Sequence, residues 1–394
     1  MDASMVVVGG GIGGLAAAVA GARAGWSVRL LEQASAFGEV GAGIQLGPNV
    51  VRVLHSWGLE PALRAVAAYP AQLEVRSALT AKLLGVLLLG ERCQAHYGAP
   101  YATIARADLH KLLLQAALAQ GVAPQLATAV ARVEAGANGI DLHTEAGNTL
   151  HTPLLLGADG LWSRVRQQVL PPGLGQTPRA TGHVAFRALV PQSSLPAALR
   201  SQVITAWLGP RFHVVQYPVR GGELLNVVAI VQGQLEGDPT SWDNRANAAE
   251  LRTLLANAQA PLLDLIHTIA DWRLWHLYDR PPMASAAEQA QGRIALLGDA
   301  AHPMRPYMAQ GAGMAIEDAQ QLAQSLSALP SDVPAALAHY AAKRWQRNAR
   351  VQARGVRNGQ IFHLKGPLRV ARDVSMQQLG PALLDVPWLY GYRA

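Results

Sequence analysis

Three segments of the chain combine glycine and acidic residues in spacings that suit nucleotide binding. The first, Gly9-Gly10-Gly11-Ile12-Gly13-Gly14, contains the pattern Gly-x-Gly-x-x-Gly directly after a run of valines. Glycines in this pattern permit a tight turn and let backbone N–H groups at a helix start approach a pyrophosphate. Glu32 follows at the end of the next predicted strand, where its carboxylate could accept hydrogen bonds from both ribose hydroxyls. This segment predicts a dinucleotide site without separating NAD from FAD.

The other two segments place an aspartate at a turn. Gly157-Ala158-Asp159-Gly160 and Gly298-Asp299-Ala300-Ala301-His302-Pro303 each follow an apolar run that predicts a strand. Either aspartate, taken alone, could simply cap a helix or a turn, and that alternative stays open at this point.

His213 and Tyr217 are the residues best suited to acid–base chemistry. They lie in Arg211-Phe212-His213-Val214-Val215-Gln216-Tyr217-Pro218, a run that predicts a strand. Because side chains alternate along a strand, His213, Val215 and Tyr217 share one face. Directed toward a cofactor, the pair could bind and polarise a phenol oxygen. The alternative is an edge strand from which both side chains face solvent.

Cysteine and histidine usage gives no sign of metal chemistry. Cys93 is the only cysteine, which excludes an intrachain disulfide and a cysteine-based zinc site. The 12 histidines form no HxxxH or HExxH arrangement, so we predict no metal site. A single cysteine and an N-terminus without a secretory signal predict a cytoplasmic protein.

The formal net charge of +7 favours anionic ligands, either small molecules or nucleic acid. Nucleic acid is not predicted, because no basic stripe is interleaved with aromatic residues. The arginines of the segment 343–357 are predicted to form a solvated helix face. The most apolar run, Leu83 to Leu89, is too short to span a membrane and predicts a buried strand, so no membrane partner is expected.

The elements that must position these residues follow from hydrophobic patterning. A strand at Met5 to Val8, a helix from Ile12 to Ala24 and a strand from Ser27 to Leu31 form a βαβ unit. A second helix is predicted from Arg106 to Gln120. Four strand-like segments between His183 and Val231 predict a mostly antiparallel sheet, and the C-terminal third is predicted to be helical. A chain of 394 residues suits two interlocked domains.

The three nucleotide-binding segments occur together and in the order found in group A flavoprotein aromatic hydroxylases, which the chain resembles from Val6 to about Arg347. The resemblance implies an α/β fold with a Rossmann-like FAD-binding domain, an inserted substrate domain built on a mostly antiparallel sheet, and a helical C-terminus. The expected FAD-binding domain comprises residues 1–72, 100–180 and 277–365. The substrate domain comprises 73–99 and 181–276, and the C-terminal helical segment 366–394.

The resemblance also implies which residues contact FAD. These are Gly9, Gly11, Ile12, Gly14, Glu32, Gln45, Arg106, Val130, Asp159, Asp299, Gly311, Ala312 and Gly313. Arg106 matches an arginine that reaches the FAD phosphates or ribityl chain, and Asp299 is expected to bind the ribityl hydroxyls. Asp159 belongs to a motif associated with both FAD and the nicotinamide cofactor. Gly311-Ala312-Gly313 is expected at the flavin pyrimidine edge, and Gly41-Ala42-Gly43-Ile44-Gln45 resembles the loop beside the isoalloxazine.

For the reaction, the resemblance implies that NADH or NADPH reduces FAD, and that O2 then gives a flavin C4a-hydroperoxide that attacks an electron-rich ring. His213 and Tyr217 are the expected catalytic and substrate-binding residues. Tyr307 is a further substrate contact. Arg305 is either a partner for a substrate carboxylate or a surface arginine. Ser77 stands where one relative has an acidic substrate contact.

Within this family the chain resembles hydroxylases of 3-hydroxybenzoate, salicylate and 6-hydroxynicotinate. The predicted substrate is a small phenolic acid similar to 3-hydroxybenzoate, used with O2 and NAD(P)H by a monomer or homodimer. Salicylate, 6-hydroxynicotinate and a larger quinolone or polyketide ring stay open as alternatives. A flavoprotein oxidase or reductase without hydroxylation, and a non-catalytic NAD-binding module, are the alternatives from other classes.

Overall fold

The computed structural model of the chain describes residues 3–38, 42–171, 177–233 and 244–394. Gly41, in the loop predicted beside the isoalloxazine, lies outside the described residues. The strands are β1 (Ser4–Val8), β2 (Ser27–Leu31), β3 (Gly43–Leu46), β4 (Gln72–Ser77), β5 (Leu83–Leu88), β6 (Ala102–Ala105), β7 (Pro124–Gln125), β8 (Val130–Ala135), β9 (Ile140–Thr144), β10 (Thr149–Thr152), β11 (Leu155–Gly157), β12 (Arg179–Pro191), β13 (Ile204–Gly209), β14 (Phe212–Val219), β15 (Leu224–Gln232), β16 (Asn244–Arg245), β17 (Arg273–Asp279), β18 (Ala290–Gln291) and β19 (Ile294–Leu296).

The helices are α1 (Ile12–Arg23), α2 (Pro48–Ser56), α3 (Glu60–Val66), α4 (Glu91–Tyr97), α5 (Arg106–Ala119), α6 (Arg164–Val169), α7 (Ala248–Leu254), α8 (Ala260–Thr268), α9 (Gly311–Ala328), α10 (Val333–Phe362), α11 (Gly366–Leu379), α12 (Pro381–Leu384) and α13 (Pro387–Tyr390). The predicted helices at residues 12–24 and 106–120 are therefore confirmed to within one residue.

A largely parallel sheet forms the first layer, in the order β18-β19-β11-β1-β2-β7. Strands β19, β11, β1, β2 and β7 pair in parallel, and β18 adds an antiparallel edge. Three of these strands, β1, β11 and β19, lead directly into the three predicted nucleotide-binding segments. Because the carboxyl ends of parallel strands meet at one edge of a sheet, the fold gathers these segments there.

A second sheet runs in the order β16-β17-β12-β15-β14-β13-β4-β5 and is antiparallel except at the β4–β13 pair. Two separate stretches of chain supply it, β4–β5 and β12–β17. The predicted α/β fold, with a Rossmann-like part, a mostly antiparallel sheet and a helical C-terminus, is confirmed. The boundaries proposed for the two domains stay predictions.

Strand β5 differs from its prediction as a buried strand. Leu83 and Leu88, at its two ends, are 43% and 49% exposed, whereas Leu84 and Leu87 are buried. The strand pairs only with β4 among the described residues, and such an edge strand keeps solvent on one side.

No helix of the described ranges is both long enough and apolar enough to cross a membrane.

A fully buried ionic cluster joins α9 to α10. Arg344 of α10 donates from Nε to Asp318 at 2.7 Å and from a terminal nitrogen to Glu317 at 2.8 Å, and all three side chains are 0% exposed. His302, from the turn after β19, contacts the second oxygen of Asp318. The prediction of a solvated face over residues 343–357 is thus wrong for Arg344, because buried carboxylates of α9 require a cation there.

The two carboxylates and Arg344 stabilise one another in their ionised forms. Burial raises the pKa of Asp318, but His302 and Arg344 lower it by more, so it lies below its usual range. The pKa of Glu317 is lowered in the same way by Arg344 and Arg347. Burial lowers the pKa of Arg344, and the two carboxylates raise it above its usual value.

We expect Arg344→Met to lower the free energy of unfolding by about 3–5 kcal/mol, because it removes from two buried carboxylates the cation that they share. The deficit should be smaller at pH 5 than at pH 8, since a carboxyl that has lost its cation can fold in its neutral form at low pH. Urea unfolding of the holoenzyme measures both. Lys343→Met, at the exposed neighbouring position, is the control and should change stability by under about 0.5 kcal/mol. Equal effects of the two substitutions would contradict this account.

Candidate active site

The β1–α1 turn requires glycine because backbone segments meet there. Gly9 has a φ of +106°, and a Cβ at this position would lie 2.4 Å from the carbonyl oxygen of Ala158. A Cβ at Gly14 would lie 1.8 Å from the carbonyl oxygen of Gly9. These two glycines therefore close the turn and hold it against the turn that carries Asp159.

Gly11 differs, because a Cβ there would meet no described atom within 4 Å. It is the N-cap of α1, with no side-chain cap and no acidic residue in the first turn. Helix α9 likewise begins at Gly311 without a side-chain cap, and a Cβ at Gly311 would also enter open space. Uncapped helix starts present unsatisfied N–H groups and positive potential, which suits an electron-rich ligand.

A cavity of about 820 Å³ opens beside the β1–α1 turn. Among the predicted cofactor residues its lining includes Gly9, Gly11, Glu32, Arg106, Val130 and Asp159, and it also includes Arg187 and Trp275. Ile12 and Gly14 lie in α1 behind this lining and are buried. Six predicted residues from distant parts of the chain thus share one concave surface.

Glu32 is anchored at this surface by the backbone. Its Oε2 accepts the N–H of Gly10 at 2.7 Å, and its Oε1 accepts that of Ala34 at 2.8 Å. A carboxylate oxygen has capacity for more than one hydrogen bond, so both oxygens can still accept from a ribose. The two backbone bonds fix the carboxylate in place before a ligand arrives.

Asp159 serves as a helix cap as well as a cavity residue. Its Oδ1 accepts from the Ser163 hydroxyl at 2.6 Å, and its Oδ2 accepts the N–H of Val165 at 3.1 Å, at the start of α6. Burial raises the pKa of Asp159, although these hydrogen bonds act in the opposite direction. The capping interpretation is therefore correct for the Asp159 carboxylate, which also faces the cavity.

Asp299 lies in a 3-10 turn, Gly298–Ala300, after β19. Protein surrounds its carboxyl closely enough for burial to raise its pKa, while His302, Arg106 and Arg280 act to lower it. The residue nevertheless keeps solvent-accessible surface. A side chain with both properties suits a position where a ligand replaces water.

The start of β3 is hydrogen-bonded to the second sheet. The N–H of Gly43 donates to Oδ1 of Asn226 at 2.6 Å, and a Cβ at Gly43 would lie 2.8 Å from the Tyr217 hydroxyl. Gln45 accepts a hydrogen bond from the Tyr101 hydroxyl at 2.8 Å. Tyr217 and Gln45 therefore lie where β3, which pairs with β6 in a two-stranded sheet, meets the second sheet.

His213 and Tyr217 lie on β14, an interior strand between β15 and β13, so the edge-strand alternative is wrong. Both side chains are buried on one face, while Phe212 and Val214 pack into the core on the other. The shared face agrees with the prediction from alternation. Four residues of strand separate the two by about 13 Å, which leaves room for a small ring between them.

His213 is 2% exposed and is surrounded by polar aromatic groups. Its Nδ1 lies 2.8 Å from Nε2 of His363, and its ring centroid lies 5.2 Å from that of Tyr307. Burial lowers the pKa of His213 well below 6.5, and His363 and His183 lower it further. The imidazole is therefore neutral at pH 7 and can accept a proton.

Tyr307 is buried beside His213, and its hydroxyl has no hydrogen-bond partner among the described residues. Gly359 of α10 makes space for the ring, because a Cβ there would lie 2.7 Å from it. Burial raises the pKa of Tyr307, so the hydroxyl keeps its proton. An unpartnered buried hydroxyl is costly unless a ligand completes it.

The structure gives Arg305 a carboxylate partner within the protein. Its Nε donates to Asp279 Oδ2 at 2.7 Å, and Arg179 donates to the other oxygen at 2.8 Å. Arg305 is thus neither a freely solvated arginine nor an unpaired cation.

Ser77, in β4, is buried and its Oγ lacks a partner among the described residues. Ser77 and His213 each pair with Leu208, on opposite sides of β13.

Arg187 is a cavity residue that the sequence analysis missed. It lies on β12 in register with Val228, which in turn faces Val215, so its side chain emerges on the His213 face. Its guanidinium stacks 3.4 Å from the ring centroid of Trp275 and makes no hydrogen bond or ion pair with the described residues. Burial lowers the pKa of Arg187 to about 9. An arginine inside the apolar run of residues 184–190 was the available sequence signal.

Comparisons with known proteins agree with this geometry. The model of the FAD binding domain family matches residues 2–354. A 3-hydroxybenzoate 6-hydroxylase of Polaromonas naphthalenivorans is 36% identical, covering 100% of this chain and 96% of that protein. A 3-amino-4-hydroxybenzoate 2-monooxygenase of Streptomyces platensis is 38% identical, covering 99% and 96%. The structure of a salicylate hydroxylase substrate complex superposes with a TM-score of 0.82 at 28% identity, covering 99% and 95%.

The chain therefore belongs to the family of FAD-binding aromatic monooxygenases. The family match confirms the predicted cofactor, FAD, and the predicted class of enzyme. The two uncapped helix starts, the open space at Gly11 and the anchored Glu32 carboxylate fit that cofactor. Which individual residue contacts which part of FAD stays a prediction.

The glycines provide a test that separates folding from cofactor binding. We expect Gly11→Ala to leave the thermal stability of the apoprotein unchanged and to lower FAD content at least tenfold, because its methyl group enters only the open space predicted to hold FAD. Gly14→Ala should lower both, because its methyl group overlaps the Gly9 carbonyl. The 450 nm absorbance of purified protein and a melting curve of the apoprotein check this. Full flavin content in Gly11→Ala would contradict the placement.

Proposed function

We propose that this monooxygenase hydroxylates a small phenolic aromatic acid, using FAD, NADH or NADPH, and O2. The observation that carries the proposal is the pair formed by the neutral, buried His213 imidazole and the unpartnered Tyr307 hydroxyl. Their rings are 5.2 Å apart on the side of the second sheet that faces the cofactor region. Together they provide a base and a donor for one oxygen atom of a ligand.

The cofactor would be held by the residues on the concave surface. Backbone N–H groups after Gly11 would bind the pyrophosphate, Glu32 the adenosine ribose, and Asp299 the ribityl hydroxyls. The start of α9 at Gly311 would support negative charge on the reduced flavin ring. When bound, FAD supplies the redox chemistry, taking a hydride from the nicotinamide cofactor and activating O2 for transfer of one oxygen atom.

The protein's contribution to the ring chemistry is ionisation of the substrate. An electrophilic oxygen donor attacks a phenolate more readily than a phenol, because the phenolate oxygen donates electron density to the ring. His213 would accept the phenol proton, and the Tyr307 hydroxyl would donate a hydrogen bond to the resulting oxyanion. Burial of both groups excludes water from the site, which protects a reactive oxygen donor.

The names of the relatives support an aromatic acid as substrate. One acts on 3-hydroxybenzoate and another on 3-amino-4-hydroxybenzoate, and both rings carry a hydroxyl and a carboxylate. This chain offers Arg187 and Arg305 as cations near the same face. Arg187 is the stronger candidate for the carboxylate, because Arg305 is already paired with Asp279. The larger quinolone or polyketide rings have no matching observation in this structure.

A screen of hydroxybenzoates and hydroxynicotinates tests the proposal. We expect a phenolic acid to accelerate NADH or NADPH oxidation and to yield a product heavier by one oxygen atom. His213→Ala should retain FAD but lower product formation at least a hundredfold, because general-base catalysis contributes on the order of 10²–10⁴. Accelerated NADH oxidation that yields only hydrogen peroxide would favour the oxidase alternative.

The cation that binds the carboxylate is tested by paired substitutions. We expect Arg187→Met to raise the KM for the acid about tenfold or more, because a charged hydrogen bond contributes about 1.5–3 kcal/mol. The matching phenol that lacks a carboxylate should show little change in KM. Arg305→Met is the comparison. If Arg305→Met alone raises KM for the acid, the carboxylate assignment moves to Arg305.

Two further expectations accompany this proposal. A cytoplasmic location agrees with the single cysteine and with the use of NADH or NADPH. The choice between a monomer and a homodimer stays open.

A further inference from the structure

Three histidines form a continuous hydrogen-bonded chain that begins at the proposed base. Nδ1 of His213 lies 2.8 Å from Nε2 of His363, and Nδ1 of His363 lies 3.3 Å from Nε2 of His183. Nδ1 of His183 lies 3.0 Å from the carbonyl oxygen of Thr181. The three residues come from β14, the C-cap of α10 and β12, so 180 residues of chain separate His183 from His363.

The carbonyl at the end of the chain determines the position of every proton along it. A carbonyl oxygen only accepts, so Nδ1 of His183 must carry the hydrogen, and its Nε2 in the neutral ring must then be an acceptor. Nδ1 of His363 therefore donates to that nitrogen, which leaves Nε2 of His363 as an acceptor. By the same step, Nδ1 of His213 donates to His363. The one remaining lone pair is on Nε2 of His213.

We propose that His363 and His183 hold His213 in the tautomer whose Nε2 is the base, and that they conduct the proton of the substrate hydroxyl to solvent. The inference rests on the proposed function, in which His213 ionises a phenol. It assigns positioning roles to two residues that do not themselves contact the substrate.

The transfer balances along the three histidines and leaves the phenolate oxygen as the only new charge in the site. Nε2 of His213 takes the phenol proton, and Nδ1 of His213 passes its own proton to Nε2 of His363. Nδ1 of His363 then passes a proton to Nε2 of His183. The partly exposed His183 ring releases its Nδ1 proton to water when the bond to the Thr181 carbonyl opens. Each ring is neutral at the end, with its tautomer reversed. The reverse transfer returns a proton to the product oxyanion and restores the starting tautomers.

The surroundings favour neutral rings throughout the chain. Burial is greatest at His213 and least at His183, so the chain runs outward from the site. Burial lowers the pKa of His363 to about 3, with His183 and Arg372 acting in the same direction. Burial also lowers the pKa of His183, and Arg305 lowers it further.

Few charged or titratable groups of the described residues face the three histidines. Tyr307 packs against all three rings and keeps its proton. Arg305 and Arg372 are each paired with a carboxylate, Asp279 and Asp373. Among the described residues, neither carboxylate forms an ion pair with any of the three histidine rings. The three imidazoles therefore remain neutral at pH 7, and no carboxylate of the described ranges pairs with the migrating proton.

Substitution of His363 by glutamine separates positioning from conduction. A glutamine amide can accept from Nδ1 of His213 and donate to Nε2 of His183, so it preserves the tautomers, but it does not pass a proton on. His363→Leu removes both functions. His183→Gln tests the outer link in the same way, and His151→Gln, on the exposed strand β10, is the matched control.

Proton release is measured by mixing oxidised holoenzyme anaerobically with 3-hydroxybenzoate in weakly buffered indicator dye, while phenolate absorbance is followed. We expect His363→Gln and His183→Gln to keep FAD content and the Kd for the ligand, and to slow proton release at least tenfold. His363→Leu should slow release and also weaken binding. His151→Gln should match the parent enzyme. Parent-like release in both glutamine variants would overturn the conducting role.

The tautomers are read independently by ¹⁵N NMR of histidine-labelled holoenzyme without substrate. We expect His213, His363 and His183 each to carry hydrogen on Nδ1 and to remain neutral from pH 8 to pH 6. Hydrogen on Nε2 of His213 would overturn the positioning role. If the parent enzyme neither ionises nor hydroxylates any phenolic acid, the proposed function fails, whereas a parent that does both alongside unaffected variants refutes this inference alone.

Discussion

Arg344 and the two carboxylates that it neutralises form the constraint on which the flavin side of the molecule depends. A buried charge is tolerated only when its partners remain in place, so Glu317, Asp318 and Arg344 must keep one geometry. Through His302 that geometry extends to the turn carrying Asp299, and through α9 it reaches the helix start at Gly311. Two parts of the proposed cofactor site therefore have fixed positions before any ligand binds.

The second sheet is joined to this frame by direct contacts rather than by a long linker. The hydrogen bond from Gly43 to Asn226 ties the β3 loop to the strand beside Tyr217. Tyr307 follows the Asp299 turn in sequence and packs on His213 from the other direction. The group proposed to bind the cofactor and the groups proposed to bind the substrate are thus adjacent in both chain and space. In the proposed mechanism, this adjacency would couple substrate ionisation to oxygen transfer.

Local chemistry made much of the fold predictable. A glycine turn between a strand and a helix, an acidic residue at a strand end and alternation along β14 each determine structure within a few residues. The strand ends, the start of α1 and the shared face of His213 and Tyr217 agree with the structure. The prediction for Arg344 was wrong because α9, a separate segment of the chain, determines its environment. In the sequence, a helix face rich in arginine has the same pattern whether its arginines face solvent or pair with buried carboxylates. Arg187 and the His183–His363 contact were missed for the same reason. Only the folded sheet and the end of α10 bring those side chains to His213.

The central claim is that this protein transfers one atom of O2 to a phenolic ring that His213 has ionised. It is tested most directly by turnover under ¹⁸O2 with NADH and 3-hydroxybenzoate, or the best substrate of the screen, followed by mass spectrometry of the product. The account predicts one ¹⁸O atom per product molecule and product equal to the NADH consumed. Product without ¹⁸O, or NADH consumption matched by hydrogen peroxide with the phenolic acid recovered unchanged, would contradict it.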